Sequence, residues 1–196
     1  MPKISEAKRA QRRDQILDAA LQCFSERGFQ ATSMADIISA SGLSAGAIYL
    51  YFPGKWDIAR AVAHRVAYGS LGAAAAADRA GAPLSPAEMI RAIGQRQERD
   101  GVPASLPVQI WGEAATDPEF RKIPAEVFAT LSGEFQELLA GWFSAQGETA
   151  ADAHRRAEEV MPIMLALVQG YLLQRALLPE FDDEAFLTAV ERMIAA

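Results

Sequence analysis

The stretch from Thr32 to Lys55, TSMADIISASGLSAGAIYLYFPGK, constrains this chain's fold more tightly than any other. Within it, helix signals open twice and close twice. Ser33 with Asp36 three residues on reads as a capping box with a shorter acid than usual. The helix it starts ends near Ser41-Gly42, about two turns later. Ser44 is a second N-cap, and its helix runs to about Tyr51 before Pro53-Gly54 breaks it. The glycine of Ser41-Gly42-Leu43 lets the chain turn sharply, and Ile37, Leu43 and Ile48 supply the apolar contacts that fix the angle. This is the pattern of a helix-turn-helix, in which the second helix stands proud of the body and enters a major groove.

The remainder of the chain reads as helix. Ile16, Ala20 and Phe24, with Leu17 and Leu21 beside them, form one apolar stripe on a first helix from about Ser5 to Arg27, ended by Gly28. A fourth helix is expected from Lys55 through Ala77, then a loop over Asp78 to Pro86. Ser85 as N-cap and Pro86 at the first helical position start another, which runs to Arg99. Pro103 and Pro107 give the segment around Gln109 to Ala115 an irregular start. A helix opening at Asp117-Pro118 reaches Ala145, with a break expected near Pro124. One from Ala150 to Leu178 is expected to kink at Pro162, and a last one follows Asp182-Asp183-Glu184. The expectation is an all-α chain of about nine helices.

Residue supply narrows the chemistry. Cys23 is the only cysteine and His64 and His154 the only histidines, so disulfides within the chain, cysteine-based zinc sites and multi-histidine metal sites lack material. Cys23, in an apolar helical stretch, reads as a buried structural thiol. Glu158-Glu159 and Asp182-Asp183 are adjacent on helices and point different ways, and no phosphate loop or nucleophile motif appears. No enzyme activity, cofactor or metal is expected. The first residues carry charge rather than an apolar signal region. The longest apolar stretch, Val160 to Val168, is interrupted by Pro162 and falls short of the roughly 20 residues that span a bilayer. The expected location is cytoplasmic, with no membrane partner.

The formal net charge of −6 is unevenly spread. Residues 1–65 hold nine Lys and Arg against six acids, for +3, and the remainder carries −9. A basic first third on an acidic body suits a protein that presents one end to phosphates.

From Ile16 to Val62 the chain resembles the DNA-binding domain of the TetR family of repressors. The resemblance is carried by Ile16-Leu17-Asp18-Ala19-Ala20, Phe24, Glu26-Arg27-Gly28-Phe29, Ala31-Thr32-Ser33, Asp36-Ile37 and Gly42-Leu43-Ser44. It continues through Gly46, Ile48-Tyr49, Tyr51-Phe52-Pro53 and Lys55, in order and without a gap. Beyond Val62 there is only a faint echo in Trp111-Gly112-Glu113-Ala114 and Asp117-Pro118-Glu119. The resemblance implies a helix-turn-helix domain over residues 1–53 and a ligand-binding and dimerisation domain over 54–196. It further implies a homodimer that binds a palindromic operator in double-stranded DNA and lets go when a small-molecule effector binds.

It also implies residue roles. Thr32, Ser33 and Ser44 would place hydroxyls or backbone N–H groups against phosphate, and Tyr49, Tyr51 and Lys55 would add phosphate contacts. Gly46 would let the backbone approach a base. Three positions depart from the family pattern: Ala45 and Leu50 stand where polar residues are common, and Ile38 where alanine is common. With Ala45, Gly46, Ala47 and Leu50 on the reading helix, readout is expected through thymine methyls and DNA shape. Lys8, Arg9, Arg12 and Arg13 are either further phosphate or minor-groove contacts or a solvated charge run. The same departures leave open an alternative, a degenerate helix-turn-helix that contacts protein instead of DNA.

For the effector pocket the candidates are Met89, Gln109, Trp111, Phe128, Phe135 and Met164, with Gln109 or Glu113 giving polarity. For the dimer surface they are Ile163, Leu167, Gly170 and Gln174 on one helix and Phe186 and Val190 on the next, with burial inside the subunit as the competing role.

Overall fold

A computed structural model of the chain describes residues 6–78 and 83–194. Among these residues there are nine helices and no strand. They are α1 (Glu6–Ala31), α2 (Met34–Ser41), α3 (Ala45–Tyr49), α4 (Lys55–Asp78), α5 (Pro86–Arg99), α6 (Ser105–Thr116), α7 (Pro118–Ala145), α8 (Ala150–Leu177) and α9 (Asp183–Ile194). The expected start of the first helix at Ser5, and part of the loop expected over 78–86, lie outside the described residues.

The punctuation read from the sequence acts where expected. Ser33 and Asp36 close a reciprocal capping box at α2, and Ser85 and Glu88 another at α5. Ser44, Asp117 and Thr149 accept from first-turn N–H groups of α3, α7 and α8. Gly42 ends α2 in the left-handed region. Gly28 takes φ 77° and ψ 167°, which glycine adopts readily and other residues avoid, so α1 bends there and a last turn runs on to Ala31. One expectation changes. The chain stays helical through Pro124 in α7, where α7 packs on α8; α8 likewise continues through Pro162. Among the described residues, α8 is the one helix long and apolar enough to cross a membrane. Its apolar residues divide between a face packed in the subunit and an exposed one carrying Ile163, Leu173 and Leu177.

Two apolar cores hold the helices. The first joins Ile16, Leu17 and Phe24 of α1 to Ile37, Ile48 and Ile58, and reaches Leu106 on α6 and Phe120 and Ile123 on α7. The second is built from α5, α7, α8 and α9 around Met89, Leu139, Phe143, Met164 and Leu187. The first core therefore ties α1–α4 to the body. An aromatic cluster reinforces that joint: Phe29 lies 4.8 Å from Trp56 and 4.7 Å from Phe120, ring centre to ring centre.

Candidate functional site

Helix α3 has five residues, and its geometry is set by a single inward anchor. Ile48 is completely buried against α1 and α4, while Ser44, Ala45, Gly46, Tyr49 and Leu50 all face outward. Leu50 is 80% exposed and Tyr49 49%, a large apolar surface to leave open beside a turn unless something covers it. Ala47 and Tyr51 are half-buried. The outward face thus collects Ser33, Ser44, Ala45, Gly46, Tyr49 and Leu50 on one side of the molecule's N-terminal end.

Two residues expected on that face turn inward. Thr32 is only 1% exposed, and its hydroxyl lies 2.7 Å from the Gly28 carbonyl and 3.1 Å from that of Cys23. Its backbone N–H donates to the Phe29 carbonyl. The reason is the Gly28 bend, which frees carbonyls that need a donor. Lys55 is committed likewise. Its ammonium donates to the carbonyls of Phe29 at 2.9 Å, Thr32 at 2.8 Å and Gln30 at 3.4 Å, and sits 4.3 Å above the Phe29 ring. Burial holds its pKa below the ordinary lysine value. In this structure the polar groups of both side chains are engaged with backbone carbonyls of the chain itself.

Charge at this end is also sorted. Arg27 pairs with Asp36, Arg65 with Asp18, and Arg60 with Glu126. The Asp36 carboxyl is held below the usual range chiefly by its bonds from Ser33, with Arg27 adding to the effect. Arg13 lies over the Phe52 ring. Arg9 and Arg12 make no ion pair with any described residue and stand near the start of α1.

In the body, a cavity of about 180 Å³ opens between α4, α5, α6, α7 and α8. Of the candidate pocket residues, Trp111, Phe128, Phe135 and Met164 border it. Met89 and Gln109 do not. Met89 is sealed in the second core. Gln109 lies on the other side of α6, where it borders a separate pocket of about 30 Å³ beneath Phe24 and Phe29, together with Glu113. The polar groups that do reach the large cavity are Gln97, Ser132 and Gln169, none of them singled out by the sequence. Gln97 lies on the inner face of α5, and its place in the apolar rhythm Met89, Ile90, Ile93 was the available signal. Leu106 and Ile110 of α6 and Ala63 of α4 wall both spaces. At the far end of α6, Glu113 accepts a hydrogen bond from Gln30 on α1 at 3.1 Å. One helix therefore separates the cavity from the joint that carries α1–α3.

On α8, Ile163 is exposed and Leu167, Gly170 and Gln174 are half-buried. The α9 candidates are different. Val190 is buried in the second core, and Phe186 packs on Tyr171 and Phe181. Their face of α9 points inward because α5 covers it. Met193 is the large apolar residue α9 leaves exposed.

A family model described as bacterial regulatory proteins of the tetR family matches residues 16–62, and one described as the C-terminal domain of BetI-type transcriptional repressors matches residues 87–196. The chain is 28% identical to the HTH-type transcriptional regulator BetI of Burkholderia thailandensis over 197 residues, covering 95% of this chain and 92% of that protein. It is 36% identical over 61 residues to the uncharacterized HTH-type transcriptional regulator YfiR of Bacillus subtilis, a match spanning 31% of this chain and 30% of that protein. The solved structure of Salmonella enterica GusR superposes with a TM-score of 0.70 at 24% identity, covering 99% of this chain and 97% of that one.

Proposed function

Since this chain belongs to the TetR family of bacterial regulatory proteins, with a C-terminal domain of the BetI-repressor type, we propose that it is a repressor that grips a palindromic operator as a homodimer and is released by a small molecule in the body cavity. The family makes it a DNA-binding regulator rather than an enzyme. The observation that carries the finer reading is the division of α3 into a buried Ile48 and an exposed Ser44, Ala45, Gly46, Tyr49 and Leu50. A rigid helix with an open outer face is what a major groove accepts.

On this reading Ser33, Ser44 and Tyr49 meet phosphates, and Arg9 and Arg12 add the charge that fixes position. Ala45, Ala47 and Leu50 contact thymine methyls and the groove floor, with Gly46 allowing close approach. Two copies join through the exposed side of α8, from Ile163 through Leu167, Gly170 and Gln174, extended by Leu173, Leu177 and Met193. A ligand in the cavity presses on Leu106 and Ile110, and α6 passes the change to α1 through Glu113 and Gln30. The protein works in the cytoplasm, beside the chromosome.

Leu50 also suits a protein-binding face, and one experiment separates the two uses. In a gel shift with duplexes flanking the chain's own coding region, repression predicts specific binding that weakens steeply with salt. Substituting Leu50→Ala then costs about 1 kcal/mol of discrimination against a mismatched operator while changing thermal stability by no more than about 0.5 kcal/mol. Absence of binding to any duplex at low salt leaves only the protein-contact use.

A further inference from the structure

Among the described residues that line the cavity there is no Asp, Glu, Lys, Arg or His. Almost all of it is hydrocarbon or aromatic surface, from Val66 on α4 to Leu172 on α8. Its three polar side chains are not equivalent. The Ser132 hydroxyl already donates to the Phe128 carbonyl at 2.5 Å. Gln169 sits at the mouth, where it also borders an outer groove with Gly170 and Leu173. Gln97 is only 5% exposed, borders the cavity, and has no side-chain hydrogen bond to any described residue. Gln97 is thus a nearly buried polar side chain that meets the open space of the cavity, where its amide is uncommitted.

The surroundings hold Gln97 in place. Its neighbour Glu98 is ion-paired to Arg175 of α8, which also approaches Asp183 at 3.3 Å. That pairing crosses α5 at Gly94, where a Cβ would lie 2.5 Å from the Arg175 guanidinium and 2.9 Å from the Tyr171 ring. A Cβ there would push the ends of the Arg175 and Tyr171 side chains aside. Arg96 pairs with Asp100 and Glu98 with Arg175, and none of these four residues lines the cavity. The Gln97 carbonyl accepts from the Val102 N–H at 2.9 Å, which ties the same turn to the approach to α6.

We propose that the effector is a neutral, mainly hydrocarbon molecule with one hydrogen-bonding head, such as a carboxamide or alcohol, that pairs with the side-chain amide of Gln97. An amide offers one acceptor and two donors, so a head that both donates and accepts satisfies it best. A cationic or anionic head would enter a space with no counter-charge and little water, which disfavours it strongly. The inference rests on the cavity being the effector site.

Calorimetric titration of the full chain with octanamide, octanoate and octyltrimethylammonium tests it, because the three share a tail and differ in head charge. Octanamide is expected to bind at least tenfold more tightly than either ion. Replacing Gln97→Leu is expected to weaken octanamide at least tenfold, while Gln169→Leu at the mouth changes it less than threefold. Tighter binding of either ion, no binding of octanamide, or a Gln97→Leu protein of unchanged affinity would each overturn the proposal. The head-group comparison uses the unaltered protein, so it decides even if Gln97→Leu fails to fold. Operator binding by the same preparations separates the two readings. Octanamide selectivity without DNA binding removes the repressor, and DNA release by an ionic probe alone removes the neutral effector.

Discussion

The turn region and the cavity treat their polar groups in opposite ways. Around the bend at Gly28 the Thr32 hydroxyl and the Lys55 ammonium close on backbone carbonyls, and Ser33 and Asp36 close on each other. In the cavity, space is left open and the Gln97 amide has no partner among the described residues. A helix of five residues cannot hold its own angle, so its neighbours must fix it. A cavity that is to take a ligand must be under-filled, with stability held in reserve for the bound state.

That comparison can be broken by substitutions on its two sides. The largest effect is expected from Ile48→Ala, which removes the sole inward anchor of α3 and should cost about 2–5 kcal/mol in thermal or urea unfolding. A loss well under 1 kcal/mol would mean α3 is held by something else. Next comes Lys55→Met. It removes the ammonium that three carbonyls share and should cost about 1–3 kcal/mol, with DNA affinity falling only as far as the folded fraction falls. A large affinity loss at unchanged stability would restore Lys55 to the phosphates. Thr32→Val should cost about 1 kcal/mol, and Thr32→Ser, which keeps the hydroxyl, roughly half of that or less. The smallest effect has the opposite sign. On the cavity wall, Leu131→Phe fills empty space and should raise stability by about 0.5–1 kcal/mol while blunting any ligand response. A destabilised Leu131→Phe protein would show that the cavity is as tightly determined as the turn.

The same contrast explains what the sequence disclosed. Caps and turns are local chemistry, so Ser33, Gly42, Ser44, Ser85 and Pro86 marked helix ends within a residue or two. The inward turn of Thr32 and Lys55 depends on the Gly28 bend bringing α1's last carbonyls against α4, a contact between residues more than twenty apart for Lys55. Val190 and Phe186 carry the helical spacing of an interface, yet the same spacing serves a core, and α5 decides between them. Gln97 was hidden for a related reason. A glutamine near a helix end reads as surface until the helix opposite is known to cover it.

The most direct test of the outer face of α3 is a hydroxyl-radical footprint on a duplex selected by the purified chain from fragments of its own genome. Two protected half-sites on one face of the duplex, centred about 10 base pairs or a multiple apart, are expected, with protection at those sites weakened by Leu50→Ala. A chain that selects no duplex at low salt, or protects DNA identically when the exposed residues of α3 are replaced, would contradict the account.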